Sequence, residues 1–231
     1  MKKSSFNATA IVVAGGTGTR MGSEVPKQFI EVSGKPIIAY TLNALSKCAD
    51  IRDIIIVTLP EYIVYCKDVV DTFNFCKVKK IVCGGESRSR SVFNGLKEVT
   101  ADCDIVAIHD GVRPLIDEDT ISSCIRAASE YGCAAVGVKM KDTIKVCDNN
   151  GFIEGTADRE KLWMIQTPQV FKKDIIYSLH KEADVNGVSY TDDCILAESR
   201  GYKIKIVEGK YENIKITTPQ DIFIMKGLLG E

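Results

Sequence analysis

Net charge is almost absent from this chain: its 231 residues carry a formal −1 at pH 7, and no long basic run occurs. Nucleic acid and anionic membranes are held by concentrated Lys and Arg, so neither is expected as a partner and a small ligand is. Long apolar runs are lacking too. The stretch Ala8 to Ala14 follows Met1-Lys2-Lys3 and faintly imitates a signal peptide, but it is short and passes straight into glycines, so it reads as a first strand. Nothing else approaches a membrane span. Paired cysteine spacings are missing: the nine cysteines (48, 66, 76, 83, 103, 124, 133, 147 and 194) are odd in number and include no Cys-x-x-Cys. Several, such as Cys83 and Cys133, sit in apolar runs where free cysteine acts as a small hydrophobe. A disulfide framework and a zinc site are therefore excluded, and a cytoplasmic, reducing setting is expected.

What is present is alternation. Short β-branched runs at Ala8 to Ala14, Ile54 to Leu59, Lys80 to Cys83, Ile105 to His109 and Ala134 to Val138 are separated by amphipathic stretches at Ile37 to Cys48, Tyr62 to Phe73, Ser89 to Val99 and Thr120 to Tyr131. Pro36 suits the start of the first helix, and Asp117, Glu118 and Asp119 suit the start of the fourth. This pattern predicts an α/β, Rossmann-like, mostly parallel sheet with helices on both faces. With 45% hydrophobic residues, the chain is long enough to bury a core as a single domain over residues 1–231.

The first strand ends in Ala14-Gly15-Gly16-Thr17-Gly18-Thr19-Arg20-Met21-Gly22, shortly before Pro26-Lys27-Gln28. Backbone N–H groups approach phosphate closely where no Cβ intervenes, and a tight cradle calls for positive φ at some positions, which Gly15, Gly16 and Gly18 permit. Arg20 and Lys27 add two cations for a polyphosphate. The spacing fits neither the dinucleotide fingerprint nor the P-loop, and Thr58-Leu59-Pro60 offers no acidic residue to receive a nicotinamide ribose. The plain alternative is a Gly-rich turn.

Two further strands end in polar loops, Gly84-Gly85-Glu86-Ser87-Arg88-Ser89-Arg90-Ser91 and His109-Asp110-Gly111-Val112-Arg113-Pro114. In a parallel sheet all three loops converge on the carboxyl edge, where such folds bind ligands. Ser91 has a second reading as a helix cap. After Val138 the alternation breaks. Thr143 to Val146, the turn Asp148-Asn149-Asn150-Gly151 and Phe152 to Glu154 read as a β-hairpin arm spanning about residues 140–160. Protruding, the arm would expose apolar faces that a second copy covers, giving a homodimer in which the flanking Lys141, Asp142, Thr143, Asp158 and Arg159 are placed to complete a neighbour's pocket; folded over its own sheet, it would not. Near the C-terminus, Thr218, Pro219 and Asp221 suit a helix start. Lys215, placed between Ile214 and Ile216 in a predicted strand, points opposite to both, to solvent or to a polar pocket.

Taken in order, Ala-Gly-Gly-Thr-Gly-Thr-Arg-Met-Gly, Pro-Lys-Gln, Gly-Gly-x-x-Arg-x-x-Ser-Val-x-Asn-Gly-Leu, His-Asp-x-x-Arg-Pro, Asp-Thr-Ile-Lys, Gln-Thr-Pro-Gln-x-Phe, Thr-Asp-Asp and Asn-Ile-Lys-Ile-Thr-Thr-Pro resemble the polyol-phosphate cytidylyltransferases, above all those acting on 2-C-methyl-D-erythritol 4-phosphate. The likeness runs from about residue 8 to about residue 227. It implies that a substrate phosphate oxygen attacks the α-phosphorus of CTP and pyrophosphate leaves, with Mg²⁺ on the triphosphate. It further implies that Arg20, Lys27 and Lys215 are catalytic. Ala14, Gly15, Gly16, Thr17, Gly18, Gly85, Ser91 and Asp110 would hold the nucleotide; Asp110, Arg113, Thr143, Arg159, Thr167, Thr191 and Lys215 would surround the polyol phosphate. Asp110 is the only intrinsic carboxylate candidate for Mg²⁺ or a sugar hydroxyl. Gly111-Val112 departs from the Ala-Ala of the methylerythritol branch and resembles the ribitol-5-phosphate enzymes, so CDP-ribitol synthesis stands as the alternative. A nucleotide-binding module without chemistry is more remote, since the phosphate-facing cations are retained.

Overall fold

A computed structural model describes residues 6–16 and 25–230. In chain order the elements are β1 (Ala8–Ala14), β2 (Glu31–Val32), β3 (Lys35–Pro36), α1 (Ile37–Lys47), β4 (Ile51–Thr58), α2 (Ile63–Thr72), β5 (Val78–Cys83), α3 (Arg88–Lys97), β6 (Ile105–Asp110), α4 (Glu118–Tyr131), β7 (Cys133–Lys139), β8 (Lys145–Cys147), β9 (Ile153–Thr156), β10 (Trp163–Lys172), α5 (Lys173–Val185), α6 (Asp193–Glu198), β11 (Lys205–Glu208) and α7 (Pro219–Leu229).

The main sheet has seven strands in the order β11-β7-β10-β6-β1-β4-β5. β1 is central because it is apolar on both faces, and it pairs in parallel with β4 and β6. Its side chains alternate. Ala8, Ala10, Val12 and Ala14 pack under α1, α2 and α4 through Leu42, Leu45, Cys66 and Ile125, while Ile11 packs under α3, α5 and α6 through Val92, Leu96, Ile176 and Leu196. α3 lies so close to the sheet that a Cβ on Gly95 would come within 2.8 Å of Ile11 Cγ2 and 2.9 Å of Val57 Cγ2. From β1 the chain runs outward to β4 and β5, then returns to place β6 on the opposite side of β1. The loops after β1 and β6 are thereby parted at a topological switch point, the crevice in which this architecture binds ligands.

β1, β4, β5, β6 and β7 lie where the apolar runs predict them, with ends shifted by a few residues, whereas β11, which pairs in parallel with β7, has no counterpart among those runs. β10 is the exception in direction: it inserts antiparallel between β6 and β7. The arm exists as a separate antiparallel pair of β8 and β9, its turn closed by Asp148 Oδ1 accepting from the N–H groups of Asn150 and Phe152, with Gly151 at φ +86°. Val146, Phe152 and Ile153 on it are 54%, 73% and 63% exposed, so within the chain the hairpin does not fold over its own sheet. The segment around Lys215 is irregular rather than the predicted strand, tied down by Ile216 N–H donating to Val112 C=O at 2.9 Å. At α7, Asp221 Oδ2 accepts from the N–H groups of Thr217 and Thr218, both at 2.7 Å. All nine cysteines are free thiols, and no helix among the described residues is long and apolar enough to cross a membrane.

Candidate active site

At the carboxyl edge of β1, β5 and β6 a cavity of about 350 Å³ opens. Ala14, Gly15 and Gly16 line it from the first loop, Lys27 and Gln28 from the short 3-10 turn that follows, and Gly85, Arg88 and Ser91 from the second loop. Asp110, Val112 and Lys215 close the remaining side. Thus Ala14, Gly15, Gly16, Lys27, Gly85, Ser91, Asp110 and Lys215, drawn from four separate parts of the sequence, line one cavity. Thr17, Gly18 and Arg20 lie outside the described residues.

The glycines of the first loop serve differently from the expectation. Neither Gly15 nor Gly16 has φ in the left-handed region; a Cβ on Gly16 would meet nothing within 4 Å, and one on Gly15 only Ser91 Oγ at 3.9 Å. What glycine provides here is open room beside the backbone rather than an unusual conformation. Gln28, whose buried amide the sequence reading did not single out, braces the loop: its Nε2 donates to Ala14 C=O at 2.6 Å and Gly16 C=O at 3.0 Å. In the second loop glycine is required sterically, because a Cβ on Gly85 would fall 2.7 Å from Arg90 Cβ. The expectation of Ser91 as a helix cap is corrected. Ser87 caps α3 by accepting from Arg90 N–H, while Ser91 lies inside the helix, donates to Ser87 C=O at 2.9 Å and accepts from Gly85 N–H at 3.0 Å.

Asp110 ends β6 and is the charge centre of the site. Lys215 Nζ stands 2.8 Å from its Oδ2 and Arg113 Nε stands 3.6 Å from the same oxygen. Burial alone would raise this carboxyl, but the charges of Lys215, Arg88 and Arg113 outweigh it and bring Asp110 down to about 2. It is therefore ionised throughout the neutral range. Arg113 Nη1 donates to Asn213 C=O at 2.7 Å, which anchors the guanidinium beside the carboxylate.

Behind Asp110 lies a buried relay. The Asp110 N–H donates to Thr167 Oγ1 at 3.1 Å, and the hydroxyl stands 3.0 Å from His109 Nδ1. Burial lowers His109 to about 4, so the ring is neutral. The Thr167 hydroxyl then donates to Nδ1, and the ring proton sits on Nε2, 3.2 Å from the Arg113 C=O it donates to. Thr167 is 4% exposed, and its hydroxyl is engaged by the protein. Thr143, Arg159 and Thr191 are exposed and do not line the cavity; Arg159 Nη1 donates to Lys141 C=O at the base of the arm, at 3.1 Å.

Gly111, the departure noted in the sequence, has a local packing reason. A Cβ there would lie 3.2 Å from Val13 C=O and 3.3 Å from Ala14 Cβ, directly beneath the first loop. Val112 is buried in the cluster formed with Ile37, Ile216 and Met225, which holds the Lys215 segment against the sheet.

A phosphate-scaled crevice with glycine-opened backbone, one ionised carboxylate and converging cations is suited to nucleotidyl transfer. The relatives agree. A family model described as 2-C-methyl-D-erythritol 4-phosphate cytidylyltransferase matches residues 8–231. Proteins of that name from Caldanaerobacter subterraneus and Clostridium botulinum are 48% and 44% identical, over 95% and 96% of this chain and 97% and 96% of theirs. The crystal structure of a 4-diphosphocytidyl-2C-methyl-D-erythritol synthase from Anaerococcus prevotii superposes with a TM-score of 0.87 at 32% identity, covering 98% of this chain and 97% of that one. Fold, edge-of-sheet cavity and relatives therefore coincide, and the chain belongs to the 2-C-methyl-D-erythritol 4-phosphate cytidylyltransferase family.

Proposed function

We propose that the cavity binds CTP and that the chain transfers its cytidylyl group to 2-C-methyl-D-erythritol 4-phosphate, releasing pyrophosphate, in isoprenoid-precursor synthesis. The observation that carries the reading is the convergence of Gly15, Gly16, Lys27, Gly85, Ser91, Asp110 and Lys215 on one cavity in a chain of this family. The backbone of Ala14, Gly15, Gly16 and Gly85 holds the nucleotide, joined by Ser91 and by Thr17 and Gly18 of the same loop. A phosphate oxygen of the polyol substrate forms a bond to the α-phosphorus while the bridging oxygen to the β-phosphorus leaves with pyrophosphate. Arg20, Lys27 and Lys215 neutralise the charge that accumulates on the α-phosphoryl oxygens and the leaving group. Arginine grips two oxygens, whereas lysine acts as a point charge.

Mg²⁺ fits the donors present. Asp110 offers a hard, ionised oxygen, and among the described residues no group of three or more His, Cys, Asp or Glu forms a protein-only cage. Asp110 would therefore supply one oxygen and the triphosphate the others; when bound, the ion withdraws charge from the phosphates. Arg113, held beside Asp110, and Thr191 receive the polyol phosphate. Thr167 serves the same site through its grip on the Asp110 N–H. Thr143 and Arg159 reach a neighbour's cavity from the arm, whose exposed Phe152 and Ile153 a second copy covers. A chromatographic mass of two chains is expected, and a monomer at working concentration would remove the exchange.

No specific observation favours ribitol 5-phosphate, since Gly111 has its packing explanation. The deciding experiment offers both polyol phosphates with CTP and Mg²⁺ and compares kcat/KM from pyrophosphate release. Preference for methylerythritol phosphate is expected; preference for ribitol phosphate would overturn the substrate, and silence with both would leave a binding module.

A further inference from the structure

Three motif residues have no part in the roles above: Arg88 of Gly-Gly-x-x-Arg-x-x-Ser, Gln169 of Thr-Pro-Gln and Asp193 of Thr-Asp-Asp. The fold brings them into one buried network. Arg88 Nη1 donates to Asp193 Oδ2 at 2.6 Å, and Asp193 Oδ1 accepts from His180 Nε2 at 2.9 Å. Gln169 Oε1 accepts from the N–H groups of Asp193 and Cys194 at 3.1 and 3.2 Å, and its Nε2 donates to Asp192 Oδ2. The start of α6 is thus riveted to β10, and through Asp193 to the second loop of the cavity.

Burying a carboxylate is costly unless its oxygens are paired and hydrogen-bonded. Both oxygens of Asp193, a side chain only 1% exposed, are occupied, one by a cation and one by an imidazole N–H. His180 Nδ1 is buried without a hydrogen-bond partner, while its Nε2–H is directed at Asp193. Arg88 is different: its side chain is 24% exposed, and it lines the same cavity as Gly15, Gly16 and Ser91. A guanidinium gripped at one nitrogen retains further N–H donors in a fixed plane. Fixing one end of the fork against a buried carboxylate therefore aims the rest into the cavity and lowers the entropy lost when a ligand is met.

We propose that Arg88 contacts the bound nucleotide, and that Asp193, braced by His180 and Gln169, is the positioning residue that holds Arg88 in place to do so; the inference rests on the reading of the cavity as a CTP site. Arg88 then acts on CTP and not on the polyol phosphate.

The test compares Arg88→Gln, Asp193→Asn and the pair Arg88→Gln/Asp193→Asn with the parent protein. It measures KM for each substrate, calorimetric CTP affinity with Mg²⁺, and melting temperature. Either single change removes a charge-assisted contact and is expected to weaken CTP binding by about ten-fold or more, with KM for methylerythritol phosphate little moved. The pair leaves no buried charge unpaired, so it regains melting temperature but not CTP affinity. It supplies the readout should Asp193→Asn fail to fold. A pair that binds CTP as tightly as the parent, or singles whose KM values for both substrates rise together with the loss of melting temperature, would make the network purely structural. A parent protein that neither binds nor turns over CTP would instead defeat the functional reading itself.

Discussion

Lys27 and Lys215 illustrate how single side chains divide the work of the site. Lys215 is paired with Asp110 at 2.8 Å, so its charge partly serves to keep that carboxylate ionised. Lys27 lines the same cavity from the short 3-10 turn after the first loop. Lys27→Ala is expected to lower kcat by about 10²-fold, the usual cost of one transition-state electrostatic contact, with little change in the fold. Steady-state pyrophosphate release checks this, and an unaltered kcat would remove Lys27 from the catalytic set. Residues of this kind were legible in the sequence because lysine, arginine and glycine stand out beside a strand end. Gln28, His109 and Thr167 were harder to assign: their function is hydrogen bonding to groups far along the chain, such as Thr167 to the Asp110 N–H across 57 residues. Only the three-dimensional pairing distinguishes them from ordinary polar side chains.

At the scale of elements, apolar runs located β1, β4, β6 and β7 because these strands are buried on both faces. β10 escaped the same reasoning. Its buried positions include Gln166, Thr167 and Gln169, of which Thr167 stands behind Asp110 and Gln169 holds the start of α6, so the apolar signal is interrupted where the strand serves the site. β11 is a four-residue partner on the outer side of β7, half exposed, and carries little pattern to read. The helix starts were clearer, since capping is local. At α7 one Asp221 oxygen satisfies two backbone N–H groups, and Asp221→Ala is expected to cost about 1 kcal/mol of unfolding free energy in denaturant titrations while leaving KM for CTP unchanged. A loss in CTP affinity would show that α7 does more than hold the Lys215 segment.

For the whole molecule, acid stability reports on charges buried by the fold. Burial would raise the Asp193 carboxyl, but Arg88 and His180 outweigh it and hold it below its usual value of 3.8. A carboxyl depressed in the folded state contributes stability that is complete above the unfolded value and is lost as pH falls below it. The stability gap between the parent and Asp193→Asn should therefore be constant near neutrality and narrow once pH drops below 3.8. Denaturant unfolding on either side of that pH measures it. A gap independent of pH would mean that the carboxylate is not what the network stabilises.

The sequence by itself determined the alternating α/β plan, the hairpin, the glycine-rich loops, their order and the family they resemble. Those features rest on local rules, since periodicity, turn residues and spacing act over a few residues. The tertiary structure decided what those rules do not reach: that β10 enters antiparallel, that Lys215 meets Asp110 across 105 residues, and that Arg88, Gln169, His180 and Asp193 form one network. Such pairings depend on closing long stretches of chain, and it is burial in a shared core, not any property of the neighbouring residues, that selects the partners.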